Sequence, residues 1–216
     1  MAQTLKIERI RLIDMMRHEE YFGLAEGLVQ FIVPDRLRIG RRKYPVPQSR
    51  DEFMSAICYG QRLFFGREEK NDYGVIIRMI DGYYYPLVSG KKWDEDRALL
   101  FGKNVLNCRV QELYPVANHL VTLLSAMIDR EKTLLYREPS KIELAAGVEK
   151  LNVFAELSAL NFLRDTMKIT TEEVLLQPYN ECLVRFMMEK ERQEYLERYT
   201  KLLNEEAQAK HGRPKT

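Results

Sequence analysis

The sequence predicts a mainly α-helical protein, with a helical bundle-like C-terminal half and a smaller α+β or irregular N-terminal half. Three observations predict it. Ser49 and Glu52, Ser140 and Glu143, and Thr170 and Glu173 have the spacing of capping boxes, in which the hydroxyl and the carboxylate each satisfy a free amide of the first helical turn. Beyond about residue 90 the apolar residues recur at helical spacing. The first half is instead rich in Gly, Pro and Tyr, with short apolar runs. The texture changes near "VSGKKWD", residues 88–94. This divides the chain into a mixed region 1–90 with a basic loop, a helical region 91–209 and a flexible tail 210–216.

From the N-terminus, Leu5, Ile7, Ile10 and Ile13 fit either a short strand or a helix, and Gly23 and Gly27 weaken a helix through "YFGLAEGL". "FIVPDRLRIGRRKYPVP" is loop or strand, because Pro34, Pro45 and Pro47 lack backbone donors. The box at Ser49 predicts a helix to about Phe65, with Phe53, Ile57, Leu63 and Phe64 on one broad face. "YGVIIRMIDGYYYPLVSG" fits a hairpin turning at Asp81-Gly82, or a helix ending at Gly82. Asp94, Glu95 and Asp96 mark a helix start, with Leu99, Leu100, Val105, Leu106 and Val110 on its buried side.

A second helix is expected from Pro115 until Pro139 stops it. A third runs from Ser140 through Val148, Leu151, Phe154, Leu157, Leu160 and Leu163 as one stripe. At Thr170 a short helix begins, and Pro178 forces a kink before a last helix. "CLVRFMM", residues 182–188, is apolar nearly all round and predicts a buried turn. Past Glu189 the helix becomes amphipathic, carrying Tyr195, Leu196, Tyr199, Leu202 and Leu203.

The chain has 216 residues, 45% hydrophobic and 31% charged, enough to build a substantial core without metal or disulfide. With 34 basic and 32 acidic residues its formal charge is +2, so no global field points to nucleic acid or an anionic membrane. The three cysteines, Cys58, Cys108 and Cys182, are far apart among apolar neighbours, which suits a reducing compartment. No stretch of about 20 apolar residues exists, and the opening lacks a secretory signal. The expectation is a cytoplasmic protein that uses no membrane.

Catalytic, cofactor-binding and metal-binding residues are not expected. Histidine, the usual proton carrier near neutral pH, occurs only at His18, His119 and His211, and none has a partner at metal-ligand or acid-base spacing. Cys-x-x-Cys, Gly-x-Ser-x-Gly, Walker and Gly-x-Gly-x-x-Gly patterns are missing. Asn180 and Glu181 follow Pro178 in a first helical turn, where polar side chains satisfy free amides. Two surfaces remain. Tyr195, Leu196, Tyr199, Leu202 and Leu203, with Tyr84 and Trp93 of the aromatic "DGYYYPLVSGKKW", are candidate protein-binding residues, because Tyr and Trp anchor interfaces at low entropic cost. Arg36, Arg38, Arg41, Arg42 and Lys43 form a basic cluster that suits phosphates or an acidic protein surface.

"LSALNFLRDTMKITTEEVLLQPYNECLVRFMMEKERQEYLERY", residues 157–199, resembles the small tail-assembly proteins of bacteriophages and prophages. In those proteins a short helix opened by Thr-x-x-Glu-Val and a Pro-Tyr step leads into a long polar-surfaced helix. The resemblance covers about a fifth of the chain and rests on helical grammar rather than chemistry. It implies a chaperone-like, non-enzymatic protein that binds a tape-measure or other tail protein during virion assembly in the host cytoplasm. The alternative expectation is a nucleic-acid-associated accessory protein acting through residues 36–43.

Overall fold

A computed structural model describes residues 32–67, 72–105 and 107–211. The readings of residues 1–31, including His18, of Leu106 and of the last five residues lie outside them. Among the described residues there are nine α-helices, one 3-10 helix and one two-stranded sheet, a mainly α fold.

The basic cluster is a β-hairpin. Strand β1 (Arg36–Ile39) pairs antiparallel with β2 (Arg42–Pro45), with Arg38 opposite Lys43 and Leu37 opposite Tyr44. Alternation turns Leu37 and Ile39 into the core and leaves Arg36 and Arg38 outside. Pro45 ends β2, and the amide of Val46 closes the hairpin on the Asp35 carbonyl at 2.9 Å.

The helix expected over 49–65 is two helices, α1 (Arg50–Ala56) and α2 (Tyr59–Phe65). Ile57 and Cys58 between them are extended, and Cys58 forms a β-bridge with Pro178. The amide of Tyr59 donates to the Gln177 carbonyl at 2.9 Å and that of Tyr179 to the Ile57 carbonyl at 3.1 Å, so proline's missing donor is not required. Ser49 caps α1 by accepting from the Glu52 amide at 3.2 Å, but Glu52 reaches one residue further back than a capping box does, to the Gln48 amide at 2.7 Å.

Residues 72–89 are helix α3 (Asp72–Ser89), not a hairpin. Ile76, Met79, Ile80, Tyr83 and Tyr84 fall on one helical face and all are buried. Gly82, a plausible turn residue from sequence, lies inside this helix, and Phe64 and Phe65 press against it. A methyl group there would sit 2.9 Å from Cδ1 of Phe64 and overlap Phe65.

Helix α4 (Glu95–Val105) is capped by Asp94, which accepts from the Arg97 amide at 2.9 Å. It buries Ala98, Phe101 and Val105 against α3, whereas Leu99 and Leu100, expected inside, are 56% and 64% exposed. The i, i+3, i+7 spacing selects the first three, and adjacent leucines on a helix point elsewhere. Helix α5 (Val110–Leu135) starts five residues before Pro115, which sits in its second turn. Its Leu113, Val116, Leu120, Leu124 and Met127 are buried in a core cluster that extends from Leu37 to Leu183, across the texture change near residue 90.

The single stripe expected from Ser140 to Leu163 is broken into α6 (Lys141–Ala145), a 3-10 helix (Val148–Phe154) and α7 (Ala155–Met167). Gly147, at φ 82°, ends α6 in a left-handed turn that favours glycine. Of the stripe only Leu163 is buried, while Leu151, Phe154 and Leu157 are exposed. The boxes at Ser140 and Thr170 are complete, and Thr170 opens α8 (Thr171–Leu175). The last helix, α9 (Tyr179–His211), has 33 residues.

Replacing a helical glycine by alanine ordinarily stabilises by about 1 kcal/mol. For Gly82→Ala the sign reverses, because the new methyl displaces two buried rings, an overpacking cost of roughly 1–3 kcal/mol. Chemical denaturation gives the check: the variant unfolds at lower denaturant than the parent.

Candidate functional site

Helix α9 is held at its root and free along its second half. At the root, Cys182 and Leu183 are buried, and Phe186 stacks on Phe162 with ring centres 5.5 Å apart. The hydroxyl of Tyr179 donates to Glu131 at 2.8 Å, and Arg62 grips the same carboxylate through two nitrogens at 2.9 and 2.6 Å. Such bidentate, partly buried pairs are stronger and more directional than surface ones. Further along, Lys190 donates to the Leu134 carbonyl at 2.9 Å, and Arg137 joins Glu197 of α9 to Glu143 of α6.

Every residue from Tyr195 to Ala209 is exposed. All five apolar residues singled out there stand in solvent, from 46% for Leu196 and Leu203 to 64% for Leu202. The rings of Tyr195 and Tyr199 stack with centres 6.1 Å apart. Val184 and Met188 are also exposed, so the turn 182–188 is buried on one side only, which corrects the expectation of an all-round buried turn. At roughly 100° per residue all seven lie within about 60° of Tyr199 around the helix, whereas Leu183, Phe186, Lys190, Glu194 and Glu197 lie on the opposite side. As far as Glu197 the body therefore holds α9 from behind, with the apolar stripe facing outward, and from there to Ala209 every face of the helix is in solvent.

The two aromatic candidates nearer the middle of the chain do not belong to this surface. Tyr84 is completely buried and donates from its hydroxyl to the Pro45 carbonyl at 3.2 Å, so it ties α3 to the hairpin and is not a binding residue. Trp93 is half-buried, edge-on to Phe64 at 5.2 Å and to Tyr85 at 6.3 Å. Sequence pattern alone does not separate a Tyr-rich helix face from a Tyr-rich surface.

All five cations of the hairpin are exposed. Among the described residues none of them forms an ion pair. By contrast Arg50, Arg62, Arg67, Arg97, Arg130, Arg137, Arg164, Arg192 and Arg198 all do.

No group of three or more His, Cys, Asp or Glu suited to a metal occurs among the described residues, and no described helix is long and apolar enough to cross a membrane. His119 sits at a helix edge with Nε2 2.8 Å from the Pro47 carbonyl. Asn180 donates to the Ser55 hydroxyl at 3.2 Å, a tie between α9 and α1. A cleft of about 510 Å³ between α2, α8 and Trp93 includes Cys58 and Glu173. Burial raises the Cys58 thiol to about 11, and Glu173 already caps Thr170. Burial likewise raises Cys108 to about 11 and Cys182 to about 12, so all three thiols stay protonated and weakly nucleophilic.

One buried acid was not anticipated from the sequence. Asp81 faces Gly102 across the α3–α4 seam, 1% exposed, with one carboxyl oxygen that has no hydrogen-bond partner among the described residues. Burial raises its pKa from 3.8 to about 8. Only its position on the apolar face of α3, between Ile80 and Tyr84, hinted at this in the sequence. Compared with protein-family models, with curated proteins and with solved structures, the chain matches none.

Because the folded protein keeps the Asp81 proton that the unfolded chain releases near pH 4, stability falls as pH rises from about 4 to about 8. Asp81→Asn removes that slope. Thermal melts at pH 5 and pH 8 are expected to show the variant gaining on the parent at the higher pH by at least about 1 kcal/mol.

Proposed function

We propose that this chain is a non-enzymatic protein-binding protein that acts in assembly, with the second half of α9 as its docking element. One observation carries the reading: a helix anchored at one end presents seven exposed apolar side chains on one face, over residues 184–203, and its contacts with the body through Lys190 and Glu197 lie on the opposite face. Exposed apolar stripes of this length on a rigid helix are the substrate of helix-to-helix recognition. The resemblance of residues 157–199 to phage tail-assembly proteins adds a role, chaperone-like binding of a tape-measure or other tail protein in the host cytoplasm.

A second reading, nucleic-acid binding through the hairpin, is favoured by its five exposed cations, which among the described residues form no ion pair, whereas nine arginines elsewhere do. A two-stranded ribbon is also narrow enough for a DNA major groove.

Two tests separate these readings. Tagged protein recovered from the native cell at high salt is expected to retain a specific protein partner, and Leu196→Asp with Leu203→Asp to lose it. Retention of the partner by that variant would remove α9 from the interaction. On the second reading, Arg41→Ala with Arg42→Ala weakens binding to duplex DNA by about tenfold or more at low salt, measured by fluorescence anisotropy, and lowers the dependence of binding on salt.

A further inference from the structure

We propose that the exposed face of α9 is self-complementary and pairs with α9 of a second copy of this chain, antiparallel, about a two-fold axis at Tyr199. The proposal rests on the reading of α9 as a docking helix and names its occupant.

Five of the seven apolar residues on that face, all but Val184 and Met188, are arranged symmetrically in the sequence. Tyr195 and Leu196 lie four and three positions before Tyr199, and Leu202 and Leu203 lie three and four positions after it. An isologous pair requires such a patch, because the same surface must meet itself. With two helices crossing antiparallel at Tyr199, helical geometry sets Leu196 against Leu203 of the partner subunit and Tyr195 against Leu202 of the partner subunit. The two Tyr199 rings meet on the axis.

Charge fixes the direction. Seven residues before and after Tyr199, within about 20° of the centre of the stripe, stand Arg192 and Glu206. Antiparallel pairing places each Arg192 beside Glu206 of the partner subunit, one such pair at each end of the apolar patch. Parallel pairing would set arginine against arginine and glutamate against glutamate. In addition, the contacts that hold α9 to the body, through Lys190 and Glu197, are on the far side of the helix and do not obstruct a partner. The stacking of Tyr195 on Tyr199 holds two of the five side chains in place before association, which lowers its entropic cost. A patch of five apolar side chains is smaller than a standard interface, so the dimer is expected to have a Kd on the order of 10 µM.

The test uses the full chain with Leu196→Cys and Leu203→Cys as separate variants, both at exposed positions, each checked for parental helicity by circular dichroism. Mixed and mildly oxidised, they are expected to give a disulfide-linked dimer at least about five times more abundant than either alone, since only the antiparallel register brings 196 and 203 within disulfide reach. Sedimentation of the parent protein is expected to show a concentration-dependent dimer that Arg192→Glu weakens and Arg192→Glu with Glu206→Arg restores. Strong linkage in the single-variant samples with none added by mixing would overturn the antiparallel register. A parent protein monomeric at ten times the expected Kd would overturn the self-pairing itself. In that case, the high-salt partner recovery described above tells whether α9 still serves as a docking helix: its loss on Leu196→Asp with Leu203→Asp keeps that reading, and its persistence removes it as well.

Discussion

The antiparallel bridge between Cys58 and Pro178 is the constraint on which the rest of this structure depends. Two backbone hydrogen bonds, from Tyr59 to Gln177 and from Tyr179 to Ile57, splice the break between α1 and α2 onto the break between α8 and α9. A continuous helix over 49–65 would have no free carbonyl at Ile57 to offer. The interruption of one helix is therefore the condition for starting another, 120 residues away in the chain, at a fixed place and direction. Side chains reinforce the joint: Asn180 reaches Ser55, and Glu131 collects both Arg62 and Tyr179.

The consequence is mechanical. Helix α9 is positioned by groups at its first two turns and steadied by Lys190 and Arg137 further on, and then runs beyond the core with solvent on all sides. A free helix of this kind is stable only if its local interactions suffice, and i, i+4 ion pairs such as Lys190 with Glu194, Arg198 with Glu194 and Lys201 with Glu205 supply part of that support, a few tenths of a kcal/mol each. Its apolar stripe stays about half or more in solvent in a single chain. These exposed side chains are the basis of the docking role proposed for the helix.

A different economy governs the N-terminal part of the described chain. There the aromatic residues are consumed by the core: Phe53 packs with Phe65 and Tyr83, and Tyr84 closes over the hairpin. The cations of the hairpin are the feature left over. At the α3–α4 seam, Asp81 is kept without a full set of hydrogen-bond partners, a cost in stability that the packing of α3 on α4 and α5 offsets.

The sequence by itself determined the helical class, the capping boxes at Ser140 and Thr170, the kink at Pro178 and the amphipathic stripe of α9. Each of these is local, fixed by the hydrogen-bonding capacity of a few neighbouring side chains or by periodicity within one element. The basic hairpin was legible only as a cluster, loop or strand, because its pairing depends on Leu37 and Ile39 finding a core. Tertiary structure alone decided that residues 57 and 58 are extended, that residues 72–89 are helix with Gly82 inside it, and that the stripe from Ser140 to Leu163 is broken at Gly147. It also decided which apolar residues are spent: Tyr84 goes inside, Leu99 and Leu100 stay outside, and Tyr195 to Leu203 face solvent. The physical reason is that periodicity gives a helix an apolar face, but whether that face is covered depends on elements distant in the sequence, and only their packing supplies or withholds the cover.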